Sequence, residues 1–137
     1  MKRNFFVFLF FMGFFVMFSQ EKYKPNLELK NQFISEVYGV LNTDSQLYKN
    51  LDNLLTNRIE FVKDKDVDDK YFENISDFPL FNKYNVSLKR DKKLNPENFN
   101  VLKYNLTFYS TQTQVYRFRS SDWLIIIYPK LQIMKRI

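Results

Sequence analysis

Lys89, Arg90, Lys92 and Lys93 stand almost side by side around Asp91, the densest positive run in a chain that contains no histidine and no cysteine. Cations so spaced attract phosphate or carboxylate groups by charge and by hydrogen bonding. Arg117 and Arg119 form a second set. Two positions apart in an extended segment, they fall on one strand face, and each guanidinium offers a fork that fits an oxyanion. Both sets are read as anion-binding candidates, and the plain alternative for each is a solvated charged surface. Nucleic acid is not the expected anion. No aromatic residue is interleaved within residues 89–93 to stack on bases.

The acidic residues are less informative. Asp64, Asp66 and Asp68 alternate as the first carboxylates of a calcium loop do, which makes them a weak metal candidate. The sixth position of such a loop needs Gly and the twelfth a bidentate Glu; here they are Asp69 and Ile75,. The expectation is therefore no metal and no cofactor, with the Asp residues forming a solvated loop among Lys63, Lys65 and Lys70. Without histidine or cysteine, the usual zinc sites and the Ser-His-Asp and Cys-His catalytic pairs are excluded,. Paired carboxylates remain the one hydrolytic chemistry open. Glu60, Glu73, Asp77, Glu97 and Asp122 are candidates, but no spacing selects two of them. Ser87 with Lys89 has no better support. With only two glycines, Gly13 and Gly39, phosphate-cradling loops are not expected,.

The amino-terminal segment bears on where any such chemistry would happen. Met1, Lys2, Arg3 and Asn4 make a short positive start, and residues 5–18 then run fourteen positions without a charge, eight of them Phe. Ser19 and Gln20 close the run before Glu21 and Lys22. That layout is a secretory signal peptide over residues 1–19. As a helix, fourteen residues would reach roughly 21 Å, short of the roughly 30 Å hydrocarbon core. Cleavage after Ser19 puts Met17 at the −3 position, where a small residue is preferred, so retention as an anchor is the alternative and the only membrane contact foreseen. Lipid attachment through cysteine is excluded. Removal of nineteen residues leaves 118, with two fewer cations, and a net charge near +4 in place of +6. This mild excess is short of a nucleic-acid-binding stripe.

Residues 20–137 are expected to form one small α+β domain in the periplasm or outside the cell. Asn26 caps an amphipathic stripe of Leu27, Ile34, Val37 or Tyr38, and Leu41. Residues 42–45 (NTDS) break it, and a second stripe runs through Leu47, Leu51, Leu54 or Leu55, and Ile59. The spacing predicts helices over 27–41 and 46–57. Residues 58–62 fit either a continued helix or a strand. Residues 63–70 read as a charged loop, and 71–98 lack any sustained period. Three strands follow: alternation at Tyr104, Leu106 and Phe108, again at 115–119, and the doubly apolar run 123–128 (WLIIIY), which suits a mid-sheet position. The predicted architecture is two amino-terminal helices packed on a carboxy-terminal antiparallel meander of about three strands.

The segments RIEFV (58–62), FNKYN (81–85), LKRD (88–91), FNVLKYNLTFYS (99–110) and WLIIIYP (123–129), with the Phe-rich leader ending in Ser-Gln, resemble a group of short exported proteins of flavobacteria-like bacteria. The resemblance implies a bacterial periplasm or exterior, and implies no activity and no residue role. Three functions follow from these readings. The first is a non-catalytic exported protein acting by surface contacts with a protein or envelope component. The second is a binder of a small anionic or envelope ligand through a basic face, and the third a carboxylate-dependent hydrolase. A convex surface with a flat apolar patch would favour the first. A basic concavity would favour the second, and a pocket with two carboxylates about 5–10 Å apart the third.

Overall fold

Asn26 and Ser45 each turn the chain into a helix by the same device: a side-chain oxygen accepts an otherwise unpartnered backbone N–H, from Glu28 and from Tyr48 respectively,. The computed structural model describes residues 21–64, 72–119 and 121–130. After a 3-10 turn at Leu27–Leu29, helix α1 spans Lys30–Tyr38 and buries Phe33, Ile34 and Val37. It ends at Gly39, whose φ of 79° and ψ of −173° belong to a region that glycine alone adopts readily,. Helix α2, Gln46–Asn53, runs on as one π-helical turn, Leu54–Arg58, that buries Leu54, Leu55 and Arg58. The stripe residues Leu27 and Leu47, at the helix starts, stay exposed. Among the described residues no helix is long and apolar enough to cross a membrane. The leader, Asp66 and Asp68 lie outside the described residues.

The sheet is larger and more mixed than the expected meander. Its strands are β1 (Lys22–Tyr23), β2 (Ile59–Lys63), β3 (Glu73–Asn74), β4 (Gln114–Arg117) and β5 (Trp123–Ile127), in the spatial order β1-β2-β5-β4-β3. All neighbours are antiparallel except β3 and β4, which run parallel. The helices therefore do not precede the sheet: β1 comes before them and β2 leaves directly from the π turn. Residues 58–62 divide at Arg58, with the strand from Ile59 onward. The doubly apolar run 123–128 does lie mid-sheet, with β5 paired to β2 on one side and β4 on the other.

The alternating segment 104–108 is not a strand of this sheet. It makes one bridge, Leu80 to Tyr104, and Asn105 N–H donates to the Pro79 carbonyl at 3.0 Å. Tyr104 and Leu106 are buried while Asn105 and Thr107 face outward. Period-two burial requires an extended chain lying on the core, and that condition holds without a ladder on both sides. The aperiodic stretch 71–98 also contains hidden elements, β3 and the 3-10 turn Ile75–Asp77. Asn74, Asn85 and Asn95 shape it, each accepting the backbone N–H two residues on,. Ile75, Leu88 and Leu94 pin it to the core.

Register divides the faces of the sheet. Ile59 pairs Ile127 and Phe61 pairs Ile125, and these four side chains are buried on one face with Tyr116, the partner of Ile125 from β4. The next pair on that face is Lys63 with Trp123. The core face thus ends in a cation and an indole. Two polar residues lock the rest. Asn100, itself buried, donates to the Phe33 carbonyl (3.0 Å) and the Glu36 carboxylate (2.9 Å) and accepts from Leu102 N–H, tying α1 to the 3-10 turn Val101–Lys103. Arg58, 3% exposed, donates to the carbonyls of Tyr128 and Phe108, joining the π turn to the end of β5 and to the 104–108 segment.

Candidate anion-binding site

At the open end of the core face lies a concavity of about 300 Å³ lined by Lys63, Lys92, Lys93, Leu94, Phe118, Arg119, Ser121, Asp122 and Trp123. Leu94 and Phe118 are buried, and Trp123 is partly covered. These three are the apolar floor of the hollow, of which Trp123 alone has appreciable open surface, and the lining also includes four cations. The Trp123 ring is set from two sides. Tyr23 of β1 meets it edge-on with centroids 5.4 Å apart, and the Lys63 ammonium stands 5.8 Å from its centroid, a cation–π distance,.

The run 89–93 is held by its one acid. Asp91 N–H donates to the Tyr104 hydroxyl at 3.0 Å, and that hydroxyl donates to Asp91 Oδ2 at 2.8 Å. Lys103 Nζ reaches the same oxygen at 3.1 Å. Tyr104 is 1% exposed and stacks on Phe99 at 5.7 Å, so the anchor is rooted in the core. Burial pushes the Tyr104 hydroxyl well above the ordinary tyrosine range; the Asp91 backbone N–H opposes this and its carboxylate adds to it,. With Leu88 and Leu94 buried on either side, the cations of the run are presented in two directions. Lys92 and Lys93 face the concavity. Lys89 and Arg90 do not line it, and Arg90 instead donates to the Ser76 carbonyl at 3.0 Å.

Arg117 and Arg119 are likewise separated. The strand ends at Arg117, so the alternation that would put both on one face stops between them. Arg117 pairs in register with Leu124, on the sheet face opposite Ile125, is 7% exposed, and donates to the Ser121 carbonyl at 3.0 Å. Arg119 lies past the strand end and lines the concavity. Among the described residues its ion pair is with Asp77 at 2.7 Å, both side chains being more than 60% exposed. A pair so wetted is worth about 0–1 kcal/mol and yields to a stronger anion.

No known protein family, curated protein or solved structure matches this chain. Of six proposed anion-site residues, Lys92, Lys93 and Arg119 are brought together, whereas Lys89, Arg90 and Arg117 are not. Lys63 and Trp123 line the same hollow, and the sequence singles out neither as a site residue. Lys63 reads in the sequence as part of a charged loop and Trp123 as the start of a strand; only the β2–β5 register makes them neighbours.

The acidic candidates assemble differently. Asp64 N–H donates to the Asp122 carbonyl at 2.7 Å, and no group of three metal-ligating side chains occurs among the described residues. Ile75, at the twelfth calcium-loop position, is fully buried. Two further concavities are an apolar hollow beside α1 and α2 (about 380 Å³, with Ile34, Val40, Leu41 and Tyr48) and a polar cleft with Lys30, Lys49 and Asp52 (about 460 Å³). Neither these two nor the basic one is lined by more than one carboxylate.

Proposed function

We propose that this chain is an exported, non-catalytic binding protein whose basic concavity takes an anionic ligand in the periplasm, on the envelope or outside the cell. The observation that carries the reading is convergence. Lys92 and Lys93, Arg119 and Lys63 come from three separate stretches of chain and line one hollow. Lys92 and Lys93 have no hydrogen-bond or ion-pair partner among the described residues. Both belong to the run that the Asp91 carboxylate holds in place, so their charge is offered outward rather than consumed. Export rests on the leader and on the likeness to short exported flavobacterial proteins. Action by convex surface contacts and carboxylate hydrolysis have less support: the most charged feature is concave, and none of the three concavities offers a pair of acids.

The test is isothermal titration of inorganic pyrophosphate into the full chain and into two double variants. Lys92→Gln with Lys93→Gln removes two rim cations and should weaken binding by about 5–30-fold, taking about 0.5–1 kcal/mol for each exposed charge. Lys89→Gln with Arg90→Gln removes equal charge outside the concavity and should change affinity less than about twofold. Equal weakening by the two pairs, or no binding by the unaltered chain at low salt, would refute the site.

A further inference from the structure

The geometry points to a ligand of particular construction: a phosphate monoester whose other end is a planar or apolar body lying on Trp123. This inference rests on the basic concavity being the binding site, and adds to it the charge and shape of what enters.

Charge sets the first half. Of the four cations of the lining, Lys63, Lys92, Lys93 and Arg119, Arg119 pairs with Asp77, and Lys92 and Lys93 have no ion-pair partner among the described residues. A phosphate monoester carries about −1.5 to −2 near neutral pH, whereas a single carboxylate supplies one charge. Adjacent Lys92 and Lys93 are mobile point donors, and Arg119 in the same lining is a planar fork, a combination that suits several oxygens of one tetrahedral group,. Lys63 holds its ammonium over the indole and marks the boundary between the charged rim and the apolar floor.

The floor sets the second half. Leu94 and Phe118 are already buried against the core, so the apolar surface a ligand would cover is the exposed part of Trp123, and covering it favours apolar atoms on the ligand,. Trp123 lines the hollow, and its ring meets Tyr23 edge-on, a contact that restricts its orientation before binding. A volume of about 300 Å³ lies at the small end of the range for organic-ligand sites, roughly 300–1,000 Å³,. One or two fused rings, or the glycerol end of a lipid, would fill it.

The chain contains one tryptophan, so its fluorescence reports this site directly. The experiment titrates the full chain with inorganic phosphate, phenyl phosphate and 1-naphthyl phosphate at one ionic strength. Affinity should rise along that series, with the naphthyl ester about tenfold or more tighter than inorganic phosphate and quenching Trp123. Trp123→Leu, followed by calorimetry, should reduce that advantage to about two- to threefold with inorganic phosphate unchanged. Where that variant does not fold, the ester series on the unaltered chain decides alone. Equal affinity for all three phosphates overturns this inference while leaving anion binding in place; absence of binding by pyrophosphate and by every ester overturns both. The source of the monoester is separated by vesicles. Sedimentation with phosphatidic-acid vesicles, and not with phosphatidylglycerol vesicles, identifies a lipid head group. Ester binding without sedimentation identifies a free small molecule. Equal sedimentation with both lipids, together with no gain from the naphthyl group, overturns the monoester.

Discussion

Removing one oxygen, in Tyr104→Phe, tests whether the basic run is held by the core. The hydroxyl makes two contacts with Asp91, donating to the carboxylate at 2.8 Å and accepting the backbone N–H at 3.0 Å. A hydrogen bond to a charged acceptor contributes about 1.5–3 kcal/mol, and a neutral one about 0.5–1.5 kcal/mol. Asp91 is only partly buried, so water recovers part of both, and Lys103 stays on the carboxylate at 3.1 Å. The ring keeps its stack on Phe99. The expected net loss is about 1–2 kcal/mol. Thermal unfolding should show it as a fall in Tm of about 3–6 °C for each kcal/mol at this chain size. The exposed control Tyr84→Phe should stay within about 0.5 kcal/mol.

The same substitution has an alkaline signature. Because the folded pKa of Tyr104 is raised, its contribution is fully present below the ordinary tyrosine value near 10 and is lost as pH rises through the folded value,. Stability should therefore fall above pH 10 by up to about 1.4 kcal/mol per pH unit for each such group. Burial also raises Tyr38 and Tyr128, so Tyr104→Phe should lessen the slope without abolishing it. An unchanged alkaline slope together with a stability loss under about 0.3 kcal/mol would refute the anchor.

Two further substitutions test the frame that carries the site. Gly39→Ala meets no atom within 4 Å at the added Cβ, yet should cost about 1–3 kcal/mol in urea unfolding from its backbone conformation alone,. Asn100→Ala removes two donors and an acceptor between α1 and the 101–103 turn and should cost about 2–4 kcal/mol, with faster amide exchange in α1 than in β5,.

What could be read from the residues alone follows from which interactions are local. Helix starts at Asn26 and Ser45 were legible because a cap acts within three residues, and Leu51, Leu54 and Leu55 fell on a stripe because helical periodicity is local too. The WLIIIY run disclosed its central place in the sheet by being apolar on both faces. Pairing partners were not legible. Whether Tyr104, Leu106 and Phe108 enter a ladder depends on what lies beside them, and β1 and β3 have two residues each, too few to show any period. The candidate site divides along the same line. Lys92, Lys93 and Arg119 were visible as charges, while the Lys63–Trp123 pairing needed register and the outward turn of Arg119 needed the end of β4.

The central claim is that Lys63, Lys92, Lys93 and Arg119 act as one anion site over Trp123, and residue-resolved NMR of the ¹⁵N-labelled full chain titrated with pyrophosphate tests it most directly. Saturable shifts should be confined to the amides of Lys63, Lys92, Lys93, Arg119 and Ser121 and to the Trp123 indole N–H, and should weaken as salt is raised. Shifts centred on Lys89 and Arg90 with the Trp123 indole unmoved, or small unsaturable shifts spread over every exposed lysine, would contradict it.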